Sequence, residues 1–393
     1  MAFKRISAKS RNRHSASFLA STTGFIAIFL TIYIAAFLLQ FGAPVSSLWW
    51  MRNALYVKEH LAEQSEGGRL IIASGSNGLL GIDSPLLEER TGRPVINLAT
   101  SSLLGMPYMV YLLEKHVKPG DKIVMPLEAD FYQKPIPFYA DYVNNIMAWG
   151  EAHWQSLTIQ EKAWFFFNTS PWRVLEGLRT KLSNSEINPL KTLTREQALN
   201  DMNRIWNDKG MGWRGYSYKS VNQNGDILVD AGLSQPESFR AEFEWGRPYY
   251  TKIEGRLSDG FLFYYERIQA LAAERDAELF LTWSVTTKNR FFDLDKKPRR
   301  RKLQKFVDLL QENNIPINCN PIHFHFSPEF FFDTMHHLNA KGAQLRTENL
   351  ASCMLSEDQS VLTGKIDFES GFAKVQAQEA IARKELGLPA PAQ

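Results

Sequence analysis

Residues 18–41 run without a single charged side chain, and few soluble architectures have room for such a stretch. As a helix it would reach about 36 Å, enough to cross roughly 30 Å of hydrocarbon with some tilt. A soluble helix of that length normally shows a polar face. Cleaved secretory signals have a shorter apolar core, about 7–15 residues, and a small-residue cleavage site that this sequence does not present convincingly. We therefore expect a retained anchor. Lys4, Arg5, Lys9, Arg11 and Arg13 precede it with no acid among them, which places the N-terminus in the cytoplasm and exports the chain beyond the span. Pro44 and the Trp49-Trp50 pair fit an interfacial end to the span. The sequence holds 45 Lys and Arg against 42 Asp and Glu, so the positive excess belongs to the leader. The near-neutral remainder lacks the basic stripe that nucleic-acid binding requires. Cys319 and Cys353 would then lie where a disulfide is permitted. Two residues do not decide pairing, and we expect buried thiols rather than a bridge.

From residue 68 onward short apolar runs alternate with helical stretches. Residues 69–73, 94–98 and 122–127 read as buried strands, with helices expected over 84–90 and 107–116 between them. That rhythm predicts a parallel sheet and an α/β fold. Residues 131–251 interrupt it with a run rich in Trp, Tyr, Phe and Asn, in which Asn224-Gly225-Asp226 suggests a hairpin turn. Alternation resumes with a helix over 259–275, a strand over 278–283, a basic helix over 298–312 and a strand over 315–319. The implied organisation is a basic cytoplasmic leader (1–17), a transmembrane anchor (18–41), a linker or helix (42–67), an α/β domain (68–355) carrying an insertion (131–251), and a helical tail (356–393).

In open parallel sheets ligands collect beyond the carboxyl ends of the strands. The loop after the first strand is Ser74-Gly75-Ser76-Asn77-Gly78, a small-residue turn able to present a serine hydroxyl. Near the far end of the domain, Asp333 precedes His336 and His337. A serine hydroxyl needs a base titrating near neutrality, and that base needs a partner to fix its tautomer. The chain supplies Ser, Asp and His in that order. His323 and His325 could join His336 and His337 around a metal, but no cysteine or third carboxylate completes a usual ligand set, and we expect no metal.

Ser74-Gly75-Ser76-Asn77, Gly81-Ile82-Asp83, Asn97-Leu98, Met106-Pro107-Tyr108, Pro119-Gly120-Asp121 and Asp333 with His337-Leu338-Asn339 together resemble the SGNH (GDSL-like) hydrolase superfamily. In particular the chain is similar to its membrane-anchored, extracytoplasmic bacterial members, some of which act in acylation of cell-envelope or secreted polysaccharides. The resemblance covers about residues 68–130 and 275–350. It implies a three-layer parallel sheet of SGNH or flavodoxin-like type, with Ser76 as nucleophile, Asp333 as acid and His337 as base. The common Asp-x-x-His spacing would select His336; Leu338-Asn339 and Gly342 select His337, which we prefer. The usual family members place an oxyanion-binding asparagine after the third strand. Here that strand ends Pro126-Leu127-Glu128-Ala129-Asp130, with no asparagine. Asn77, Ser101 and Ser102 remain as oxyanion candidates beside the Ser76 N–H, and Glu128 reads as a structural acceptor, because a carboxylate would repel a developing oxyanion.

The resemblance implies acyl transfer, of O-acetyl or another O-acyl group, through a serine acyl-enzyme to a carbohydrate acceptor. The expected setting is a bacterial inner membrane with the catalytic domain periplasmic, no cofactor, and an acyl donor delivered by a membrane-bound acyltransferase partner. An esterase that deacylates a glycan, and a noncatalytic scaffold subunit of a membrane acylation complex, are the competing readings. Trp283 and Thr286 are expected to border the pocket, Arg299-Arg300-Arg301-Lys302 to be a solvated helix start, and the aromatics of 131–251 to be mainly core, with a sugar-binding groove as the functional alternative.

Overall fold

A computed structural model describes residues 8–45, 47–133, 140–183, 193–208, 212–233, 246, 248–253, 255–356 and 361–388. Helix α1 (Ala8–Leu39) leads into α2 (Trp49–Gln64), β1 (Leu70–Ile72), α3 (Ser76–Leu79), α4 (Ser84–Thr91), β2 (Val95–Asn97), α5 (Gly105–His116), β3 (Lys122–Leu127) and α6 (Ala129–Gln133). Then come α7 (Ala140–Trp149), α8 (Glu151–Ser156), α9 (Ile159–Asn168), α10 (Pro171–Leu182) and α11 (Arg195–Asn207), followed by α12 (Asp259–Glu274), β4 (Glu278–Trp283), α13 (Lys297–Glu312), α14 (Ala340–Leu355) and α15 (Phe368–Glu385). The chain divides into two compact units, Met1–Ser47 with Val143–Asn188 and Leu48–Tyr142 with Pro189–Gln393.

In the first unit, the most apolar window of Ala16–Leu39 has a mean hydropathy of 2.2 and is only 6% buried, so α1 is long and apolar enough to cross a membrane. Its last turns pack against the helices of the same unit. Phe37 meets Phe165 and Phe166 edge-on. Thr158 and Glu161 form a capping box that starts α9, satisfying donors that a helix start leaves open.

In the second unit the four strands form an all-parallel sheet in the order β2-β1-β3-β4. β1 and β2 are buried throughout, which is why they read as continuous apolar runs rather than alternating ones. Asp83 caps α4 by accepting from the Leu86 N–H, and Gly92 ends that helix in the left-handed region. α4 packs on α14, and α5 on α12. At the amino ends of β1 and β3 lies a buried ion pair. Arg69 donates to Asp121 through Nε (3.1 Å) and Nη2 (2.6 Å), and its remaining N–H groups reach the carbonyls of Ala62 and His116 and the Ser65 hydroxyl.

Three sequence expectations change. Residues 315–319 do not form a fifth strand. Asn318 runs beside β4, donating from its backbone (2.8 Å) and side chain (3.0 Å) to Leu281 O. Cys319 then turns to φ +70 and breaks the extended path. Asn224-Gly225-Asp226 is a tight turn, with Gly225 at φ +99, but no strand flanks it. It docks on β2 instead, where Asn97 N–H donates to Asn224 O (2.7 Å). Finally, Cys319 and Cys353 are bonded to each other across a sequence separation of 34. The expectation of two free thiols failed because it took no account of α14 lying against the 319 turn. Closing a loop of that length restricts the unfolded chain by about 2–4 kcal/mol. Cys353→Ser should therefore lower the unfolding free energy of the sheet unit, read from a urea titration, by that amount, and reductant should produce the same loss in wild type but none in the variant.

Candidate functional site

Strand order reverses between β1 and β3, and the residues just beyond these two strands are the ones a ligand at such a sheet would meet. Ser76 comes just after β1, as the first residue of α3 behind Gly75. Glu128 comes directly after β3. Ser101 and Ser102 come after β2. All four line one cavity of about 420 Å³, together with Tyr216, Tyr249, His336 and His337.

The Asp333 loop is closed by backbone pairing. Phe331 bridges Leu338 antiparallel, and Phe332 N–H donates to His337 O (2.8 Å). That pinch sets Asp333 and His337 face to face, Nδ1 to Oδ1 at 2.8 Å. Asn339 caps α14 through the Gly342 N–H (3.0 Å) and donates to Glu329 O (2.9 Å), so the turn after the histidine is fixed too. Burial works to raise the Asp333 carboxyl, but hydrogen bonds from His337 and Tyr216 outweigh it and hold the group below its ordinary value. Between the two histidines, His337 is the one paired with Asp333. His336 lines the cavity and packs edge-on against Tyr249. Among the described residues no hydrogen bond joins Ser76 to His337. Both line the same cavity.

Tyr216 was not singled out in the sequence. Its hydroxyl donates to Asp333 Oδ2 and lies 3.1 Å from His337 Nδ1, so the acid carries two partners. Burial and the adjacent carboxylate both keep this phenol protonated. Its ring packs on Trp50 and Trp213, and Trp213 in turn packs on Phe332. Trp50, expected at the membrane interface, thus lines the cavity, and Trp49 is buried. The only advance signal was the aromatic excess of residues 131–251, which does not distinguish one tyrosine from another.

Asn77 is no oxyanion donor through its side chain. Its Nδ2 donates to Pro126 O (3.1 Å) and its Oδ1 accepts from Arg346 Nη2 (2.8 Å). Arg346 also donates to Asn77 O and Gly81 O, pinning the serine turn to α14. Burial pushes this guanidinium down to about 10, with Tyr250 and Glu128 acting the other way. A Cβ at Gly81 would sit 2.6 Å from Arg346 Nη1, so glycine is what allows the guanidinium in.

Glu128 departs from its expected role as an acceptor. It is 5% exposed, and neither side-chain oxygen has a hydrogen bond of normal geometry. Burial raises its pKa, opposed by the nearby Asn77 amides and Arg346. The group presses so closely on the serine turn that a Cβ at Gly75 would lie 2.4 Å from Glu128 Oε1.

Trp283 and Thr286 do not border the cavity. Trp283 is core, donating to Cys319 O (2.9 Å) and packed on Tyr250 and Phe306. Thr286 meets His325 Nδ1 at 3.0 Å. His323 and His325 are pushed down to about 4, in each case mainly by burial. Among the described residues no group of three or more His, Cys, Asp or Glu side chains is placed to hold a metal. Arg300 is not simply solvated, since it pairs with Glu369 and lies over Phe368 and Phe372. Compared with known families and with curated proteins, the chain matches no family model and no curated relative.

Proposed function

We propose that this protein is a membrane-anchored SGNH-like serine acyltransferase, its sheet completed into the three-layer arrangement of that superfamily, acting on a carbohydrate acceptor on the extracytoplasmic side of a bacterial inner membrane. The observation that carries the proposal is the Asp333–His337 pair opening into the cavity that Ser76 lines. In the first half-reaction His337 Nε2 takes the Ser76 proton as Oγ attacks the donor's acyl carbon. The tetrahedral intermediate then collapses, and the leaving group departs with that proton. In the second, a sugar hydroxyl gives its proton to His337 while its oxygen attacks the acyl-enzyme, and Ser76 recovers its hydrogen. Asp333 holds the Nδ1–H throughout and stabilises the imidazolium. A membrane-bound partner would deliver the acyl donor.

The anionic oxygen needs donors, and Asn77 is engaged elsewhere. We assign the task to the Ser101–Ser102 loop and to Glu128, whose burial favours the neutral form, in which a carboxylic acid donates rather than repels. The titratable groups facing Glu128 are Arg346 from α14, Tyr132 from α6 and Tyr250. Only Arg346 favours the carboxylate, and burial outweighs it. Glu128→Ala should then lower turnover by about 10²–10³-fold. Glu128→Gln should retain most of it, and should lose the alkaline fall that wild type shows as Glu128 ionises above its raised pKa. Equal losses in both variants would remove Glu128 from the reaction.

The test of the function itself uses the full-length chain in detergent with an activated acetyl ester and an oligosaccharide. An acetyl mass increment on the Ser76 peptide, then acetyl on sugar, supports transfer. Acetyl passing only to water points to the esterase. No adduct, with the acylation phenotype intact in a Ser76→Ala strain and lost on deletion, makes the protein a scaffold.

A further inference from the structure

We propose that α9 and α10 are seated in the lipid leaflet at the C-terminal end of α1, so that the first unit holds the bilayer through an interfacial collar as well as through its spanning helix. The inference rests on α1 crossing the membrane, and it concerns only the unit that contains these helices.

Depth is the first argument. The apolar span ends at Leu39, and Tyr33, six residues earlier, lies about 9 Å below that end at the helical rise. Tyr33 packs edge-on against Phe166 at 5.4 Å, and its hydroxyl donates to Thr169 O. Phe37, about one turn nearer that end, meets Trp154 at 5.5 Å and Phe166 at 5.0 Å. The loop joining α9 to α10 therefore lies beside a part of α1 that belongs inside the leaflet. Interfacial helices bury their apolar faces about 5–10 Å into the headgroup and acyl boundary, the same depth.

The outward faces are the second argument. Ile159 is 89% exposed, Phe167 82%, Trp172 75% and Leu182 84%. Ile159, Ala163 and Phe167 recur every four residues along one side of α9, and Trp172, Leu175 and Leu182 share a side of α10 with the exposed Arg179 among them and Glu176 at its edge. A water-facing surface has no reason to present this stripe beside a bare membrane helix. Cationic side chains of α10 also reach the span's end. Lys181 Nζ donates to Leu39 O (2.8 Å) and Phe41 O (2.7 Å), and Arg173 donates to Gln40 Oε1 (2.7 Å). This is the level at which a long cationic side chain reaches headgroups while its stem stays apolar. The occupant of the stripe is lipid, because the helices that carry it pack directly on the apolar end of α1, where Leu38 and Leu39 are themselves exposed.

The experiment places a nitroxide at Phe167→Cys or Trp172→Cys in the full chain reconstituted into phospholipid vesicles. The native cysteines are bonded to each other, so the added thiol alone is labelled. Collision with oxygen is compared with collision with an aqueous nickel chelate, with Phe25→Cys on α1 and Glu312→Cys on α13 as references. Both collar sites should show an oxygen-to-nickel ratio several-fold above Glu312 and on the side of Phe25. Ratios matching Glu312 while Phe25 stays lipid-facing overturn the collar and leave the anchor standing. Nickel access at Phe25 overturns both. Shielding of the collar sites from both reagents means that protein, such as a second copy of this chain, covers the stripe in place of lipid.

Discussion

Ser76→Ala should lower acyl transfer by about 10⁴–10⁶-fold, abolish the acyl adduct, and leave the thermal midpoint where it was. The size comes from the roles: without the nucleophile, the histidine and its acid have nothing to activate, and members of such a set fail together rather than additively. The lack of a stability effect comes from the site. Ser76 is half-buried, and its hydroxyl makes no hydrogen bond among the described residues. The turn is held instead by Arg346 on Asn77 and by Asn77 on Pro126 O. His337→Ala should fall as far as Ser76→Ala. His336→Ala should cost much less, because Asp333 pairs with its neighbour. Steady-state kinetics on the three variants, each checked by circular dichroism, decides this. If His336→Ala proves the more damaging, the base has been misassigned.

Asp121→Ala should destabilise the sheet unit by about 3–5 kcal/mol, enough to threaten folding outright. Both side chains of the Arg69–Asp121 pair are fully buried, and removing the carboxylate strands a guanidinium in low dielectric. Asp121 also accepts from the backbone N–H groups of Arg69 and Lys118, both at 2.8 Å. Replacing both partners with apolar residues would be nearly neutral for an isolated buried pair. Here it should recover only part of the loss, because the two N–H groups and the carbonyls of Ala62 and His116 would lose their partners as well. Urea titrations of Asp121→Ala and of the double Arg69→Met, Asp121→Leu variant measure the difference. Full recovery in the double variant would mean that the backbone bonds count for little.

Much of the fold was readable from residue order alone. The strands of a parallel sheet are buried on both faces, so 69–73, 94–98, 122–127 and 278–283 stand out as apolar runs, and the strands lie within them. The Asp333 and His337 pairing was suggested by residue type and by the helix-starting Asn339. Other features depend on side chains meeting across long separations, which local pattern does not carry. Tyr216 is one aromatic among many until the fold brings it to Asp333, 117 positions away. The disulfide is another such case. The side-chain amide of Asn77 is spent elsewhere because its Nδ2 donates to Pro126 O, 49 positions on, while its Oδ1 accepts from Arg346, 269 positions on. The expected strand over 315–319 has suitable composition, but left-handed residues bound it on both sides, Asn314 at φ +55 and Cys319 at φ +70.

β3 and β4 are neighbours in the sheet, yet residues 128–277 lie between them in the chain. Ser76 is made before that interval and the loop bearing Asp333 and His337 after it. Under the proposed chemistry, a polypeptide still emerging during export presents a serine with no base to deprotonate it. Reactivity begins only once residue 337 has been synthesised and β4 has joined the ladder, so a truncated or stalled product is inert toward acyl donors. Under that chemistry the order of the pieces along the chain completes the site last.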